Sequence, residues 1–108
     1  MSVNKAAARL VMVTREEAQA LVEAMVAESD LPDGDVPVVL EHATIEKSWG
    51  WVFFYESRRF LETGDNSSRL AGNAPIIVDA RTGIASDTGT AYPIEHYIAE
   101  YEREHGLA

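Results

Sequence analysis

His42, His96 and His105 are the side chains in this 108-residue sequence best suited to moving a proton near neutral pH or to holding a metal ion. No two of them stand four residues apart with a glutamate between, the helical spacing that pairs zinc ligands on one face. Ser57, Ser67 and Ser68 offer hydroxyls, but a nucleophile needs a base and an orienting acid, and no Gly-x-Ser-x-Gly elbow surrounds any of them. The absence of cysteine excludes thiolate chemistry, thiolate metal sites and disulfides. Gly64 and Gly72-Asn73 lack the lysine and the spacing of a phosphate-binding loop, so turn geometry explains them better. No catalytic residue, metal site or cofactor is expected, and the chain reads as a binder rather than an enzyme. A small hydrolase, the competing reading, would need His42 or His96 to meet a carboxylate in a pocket.

The residues that could recognise a partner are charged. Glu56, Glu62 and Asp65 offer charge to a basic surface, and Arg58 and Arg59 offer bidentate contacts to a partner's acids. Eighteen acidic against nine basic residues give a net charge of −9, which repels phosphate backbones and anionic lipid. A basic protein partner therefore fits, and nucleic acid and membrane do not, although acidity alone also serves solubility. No stretch approaches the roughly 20 apolar residues of a membrane span, and the apolar runs around Arg9 are too short for a signal-peptide core. A cytoplasmic location is expected.

These residues need a scaffold, and 46% apolar content at this length suffices for one core. We expect a leader over residues 1–13 that is open to disorder, followed by a single domain over 14–108. Thr14-Arg15-Glu16-Glu17 fits a capping box, which starts a helix at Arg15 whose core stripe is Ala18, Leu21, Val22, Met25 and Val26. Residues 29–35, with Pro32 and Gly34, stop it. Residues 36–47 read as a strand carrying His42, with Pro37 tolerable near an edge. Residues 49–57 carry a stronger strand signal, with Trp49, Trp51, Phe53 and Tyr55 on one face and Val52 and Phe54 on the other, and a bulged hairpin at Ser48 and Gly50. The aromatic face either packs under a helix or forms an open platform for a partner.

Residues 58–72 read as a long loop pinned by Phe60 and Leu61, a place where recognition commonly resides. Residues 75–79 and 84–88 form two further strands joined by a turn at Arg81-Thr82-Gly83. Pro93 opens a last helix with the stripe Ile94, Tyr97, Ile98 and Tyr101, ending near Gly106. The expected fold is α+β: a helix, a four-stranded antiparallel sheet and a helix, with both helices packed on one face of the sheet.

Several blocks carry a family resemblance: Thr44-Ile45-Glu46-Lys47; Gly50-Trp51-Val52-Phe53-Phe54-Tyr55; Leu61-Glu62-Thr63-Gly64-Asp65; Leu70-Ala71-Gly72-Asn73-Ala74-Pro75-Ile76-Ile77-Val78-Asp79; and Gly89-Thr90-Ala91-Tyr92-Pro93-Ile94-Glu95-His96-Tyr97-Ile98. In this order they resemble the YrhB-domain family, also called immunity protein 35, over residues 14–104. Trp49 departs from the smaller aromatic expected there. The resemblance implies an immunity protein of a bacterial polymorphic-toxin system, which binds and neutralises a cognate toxin domain and has no catalytic residue. A chaperone-like or housekeeping role is the alternative that the family also carries.

Overall fold

A computed structural model describes residues 12–70 and 73–107. Of the expected leader, only Met12 and Val13 fall among them, and Val13 is tied down by its N–H, which donates to the Ala80 carbonyl at 3.1 Å. The rest of the leader, and Gly72, lie outside the described residues.

Helix α1 (Arg15–Val26) begins at the expected capping box. The Thr14 hydroxyl accepts from Glu17 N–H at 3.1 Å and Thr14 N–H donates to the Glu17 carboxylate at 2.9 Å, which satisfies two otherwise orphaned donors. Ala18, Val22 and Val26, each one turn after the last, are buried, and Met25 packs beside them. Leu21 sits at the margin of this row and is 39% exposed, so it is not a core residue.

The strands are β1 (Pro37–Val39), β2 (Ile45–Lys47), β3 (Gly50–Phe53), β4 (Tyr55–Ser57), β5 (Ile76–Asp79) and β6 (Ala85–Asp87). Helix α2 (Arg58–Thr63) follows β4, and helix α3 (Ile94–Glu104) closes the fold. Among the described residues all pairing is antiparallel, but the expected single sheet is divided into a four-stranded sheet, β2-β3-β5-β6, and a two-stranded ribbon, β1-β4. The register shows why. Val39 faces Tyr55 and Leu40 N–H donates to the Phe54 carbonyl at 2.8 Å, while Ile45 faces Val52. The chain between Leu40 and Ile45 is thus longer than the stretch opposite it, and the surplus coils into a 3-10 turn, Glu41–Ala43. His42 lies exposed in that turn rather than on a strand.

Alternation along β3 also overturns the expectation that both helices pack on one face. Trp51 and Phe53 stand beside Ile76 and Val78 and pack against Ala18, Val22 and Val26 of α1. Val52 and Ile77 point the other way and pack with Ile94, Ile98 and Tyr101 of α3. A strand apolar on both sides must be covered on both sides, so the helices take opposite faces. Trp49 is not a strand residue with Trp51. It lies in the Ser48-Trp49 turn, beyond the last pair Lys47 and Gly50, and joins the α3 side, stacked on Tyr101 at 5.0 Å between ring centroids. Its indole N–H donates to Glu102 at 3.0 Å.

Asp79 fastens β5 to α3. It is 1% exposed, and its carboxylate accepts from Arg81 N–H (2.9 Å), from Arg81 Nε and Nη2 (3.0 and 2.7 Å) and from the Tyr101 hydroxyl (2.8 Å). The Arg81 side-chain hydrogen bonds are the main cause that lowers its pKa from an ordinary 3.8 to about 2, against the opposing effect of burial. Burial, reinforced by the Asp79 carboxylate, pushes the Tyr101 hydroxyl up to about 12. A carboxylate with a depressed folded-state pKa stabilises above its unfolded pKa and loses that contribution as protons bind in the folded state. Asp79 should therefore contribute about 2 kcal/mol at neutral pH that disappears between about pH 4 and pH 2. Asp79→Asn should lower stability at pH 7 by about that amount and flatten this acid limb in urea titrations. An unchanged acid limb in the variant would assign the acid sensitivity to other carboxylates.

Candidate functional site

Of the segment expected as a loop over residues 58–72, the described part, 58–70, is largely helical, because local caps at both ends favour a turn of helix without an apolar stripe. Ser57, fully buried at the end of β4, accepts from Phe60 N–H at 3.1 Å and so caps α2. Gly64 closes the helix in the left-handed conformation (φ 73°), its N–H donating to the Phe60 carbonyl at 2.7 Å. The Asp65 carboxylate then accepts from Ser67 N–H and hydroxyl at 3.0 and 2.8 Å, capping a 3-10 turn, Asn66–Ser68. Phe60 is half-buried with the Arg69 guanidinium 5.4 Å from its ring centroid, whereas Leu61 is 48% exposed and pins nothing.

A second segment meets this one. Ser57 donates its hydroxyl to the Asp35 carboxylate, which also accepts from Arg59 N–H at 3.0 Å and Val36 N–H at 2.9 Å. The Ser57 bond is the chief cause that holds Asp35 below the usual carboxylate range. Beside it, Asp33 and Gly34 both take positive φ (58° and 73°), and the Arg59 guanidinium contacts the Asp33 carbonyl (3.0 Å) and carboxylate (3.5 Å). A cleft of about 400 Å³ opens between the two segments, lined among others by Leu31, Asp33, Arg59, Asp65, Arg69 and Leu70.

The five residues marked in the sequence meet different fates. Glu56 turns inward: its carboxylate accepts from Ser57 N–H (3.0 Å) and Leu70 N–H (2.6 Å), clipping the returning chain to β4, where Asn73 also donates to the Tyr55 carbonyl at 2.7 Å. Arg59 and Asp65 line the cleft, although Asp65 is committed to its turn and is held below the usual carboxylate range mainly by the Ser67 hydroxyl. Arg58 and Glu62 lie exposed on α2. Asp33 and Arg69 complete the cleft and were missed; the Pro32-Asp33-Gly34 turn was the available sign for the first, and nothing in the local pattern marks the second.

This arrangement can hold charge and shape against a partner. Ser57 and Asp35 form a hydroxyl–carboxylate pair, but His42, His96 and His105 are all exposed elsewhere; His96 lies tilted against Tyr92 at 4.3 Å and His105 stacks on Tyr101 at 3.9 Å between ring centroids. Among the described residues, no group of three or more histidine, aspartate or glutamate side chains is placed to hold a metal ion, and no helix is long and apolar enough to cross a membrane. Trp49, Trp51 and Phe53 are 3%, 8% and 0% exposed, which removes the open aromatic platform as a recognition surface.

The model of a family described as immunity protein 35 matches residues 16–102. Over 73 residues, 67% of this chain and 76% of the relative, the sequence is 51% identical to a protein of Escherichia coli (strain K12) named uncharacterized protein YrhB. No solved structure matches the chain.

Proposed function

Since this chain belongs to the immunity protein 35 family, we propose that it is an immunity protein of a bacterial polymorphic-toxin system, acting in the cytoplasm as one domain over residues 14–108 that binds and neutralises a cognate toxin without catalysis. The family match carries this reading. The toxin is taken to present a basic surface, consistent with the net charge of −9. The contact is assigned to the cleft and the outer side of α2, where Arg58, Arg59, Glu62 and Asp65 stand with Arg69, while Glu56 keeps that surface in place from beneath.

Co-expression with the toxin encoded beside its gene should restore growth, and restoration should survive replacement of each histidine by alanine within a few fold. Failure to protect against that toxin would remove the reading. Glu62→Lys should slow association several-fold at low salt and flatten its salt dependence, because exposed charge acts mainly on the on-rate. The control is Glu23→Lys on the exposed side of α1, an equal change of charge, expected to change the rate by less than about twofold. Equal effects at both places would mean that net charge alone steers the encounter.

A further inference from the structure

The four-stranded sheet ends in β6, and its ladder to β5 uses alternate residues. Asp79 N–H donates to the Ile84 carbonyl and Thr88 N–H to the Pro75 carbonyl, both at 3.1 Å, with Ser86 opposite Ile77 between them. In an antiparallel ladder the intervening residues turn both backbone groups away from the neighbour. Ala85 and Asp87 therefore aim N–H and C=O outward from the sheet, and no described residue hydrogen-bonds to them. Ile84, next in line, is 60% exposed.

The ground beside this edge is acidic. A groove of about 180 Å³ runs between β6 and α3, with Ile77 and Tyr101 among its apolar walls and Ser86, Thr88, Glu100 and Glu104 among its polar ones. Among the described residues no lysine or arginine lines it, and His105 is its one basic side chain. Among the described residues neither Glu100 nor Glu104 forms an ion pair. Asp87 stands opposite Ile76, whose side chain belongs to the α1 face, so carboxylates flank the edge on both sides of the sheet.

We propose that β6 is a strand-addition site for an extended, arginine- or lysine-bearing segment of a partner protein. The main-chain bonds of such a segment would fall on Ala85 and Asp87, and the residue seated opposite Ser86 would point into the α3 groove and carry its cation to Glu100 and Glu104. A second copy of this chain is the wrong occupant: pairing two β6 edges would bring the carboxylates of Asp87, Glu100 and Glu104 in one copy against those of the other. The inference goes beyond toxin neutralisation, because it names a mode of peptide recognition that is independent of what else the partner does.

The test uses the full-length, isotopically labelled protein and a blocked seven-residue peptide alternating arginine with valine. Saturable binding is expected with Kd at or below about 1 mM, with the largest amide shifts at Ala85 and Asp87. N-methylating the peptide amides that face the edge should weaken binding at least about tenfold, since it removes the ladder and keeps the charge. Glu100→Gln with Glu104→Gln should weaken it several-fold at low salt, and a glutamate–valine peptide should not bind. Absence of saturation at that concentration, equal binding of the N-methylated peptide, or shifts centred away from β6 would each overturn the proposal.

Discussion

Phe53→Ala should cost about 3–5 kcal/mol of stability in urea unfolding, the largest loss expected from any truncation in this chain. Phe53 is 0% exposed and stands in β3 opposite Ile76, between the sheet and the Val22 and Val26 row of α1. Truncation removes the ring's transfer free energy and leaves a void that Trp51 and Val78, fixed in a hydrogen-bonded ladder, cannot collapse to fill. Leu61→Ala on α2 is the control, expected within about 0.5 kcal/mol because that side chain is already 48% exposed. Similar losses in both would mean that α1 does not seal this face.

Gly50→Ala should be nearly as damaging, on the order of 3 kcal/mol, by the opposite route of overpacking. A Cβ at Gly50 would collide with the Val78 carbonyl oxygen and lie 3.2 Å from Ala80 N, and both belong to backbone that is already paired. Nothing there is a flexible side chain that could swing away. Gly64→Ala offers a comparison with a different cause: the space around it is empty, so the cost is only that of holding an L-residue at φ 73°, about 1–2 kcal/mol. Tolerance of alanine at Gly50 within about 1 kcal/mol would contradict the register of β3 against β5.

Much of the scaffold was legible. The start of α1 followed from Thr14 and Glu17 because a cap is a local interaction, complete within four residues. The continuous apolar run Ile76–Val78 marked β5, and the Ile94, Ile98 and Tyr101 stripe marked α3, since burial leaves its period in the chain. What failed was relational. Apolar residues on both faces of β3 meant that both faces needed cover, yet period alone does not say which helix supplies which, and the helices proved to be on opposite sides. Trp49 was assigned to the strand by alternation because the hairpin's last pair, Lys47 and Gly50, is fixed by pairing rather than by pattern.

The candidate site was less legible than the scaffold, for a physical reason. A charged side chain has one identity and two available destinies, solvent or an internal hydrogen-bond donor, and the donor is often remote in sequence. Glu56 bonds Leu70 N–H, and Asp35 bonds the backbone of Arg59 and the hydroxyl of Ser57. Helix α2 was hidden for a related reason: its cap, Ser57, is also the last residue of β4, so the strand signal runs up to the helix without a break.

The 3-10 turn at Glu41–Ala43 bears on how such a chain survives at high concentration. An unbroken strand across that stretch would present one long ladder edge to every neighbouring molecule, the template from which sheet aggregates grow. The turn cuts it into β1 and β2, each three residues long, and the outward positions left on them include Pro37, which has no N–H, and Glu46, whose charge repels a like edge. Three residues that look like a defect in strand pairing are thus a guard against self-assembly, set into the side of the molecule where the first hairpin would otherwise lie open.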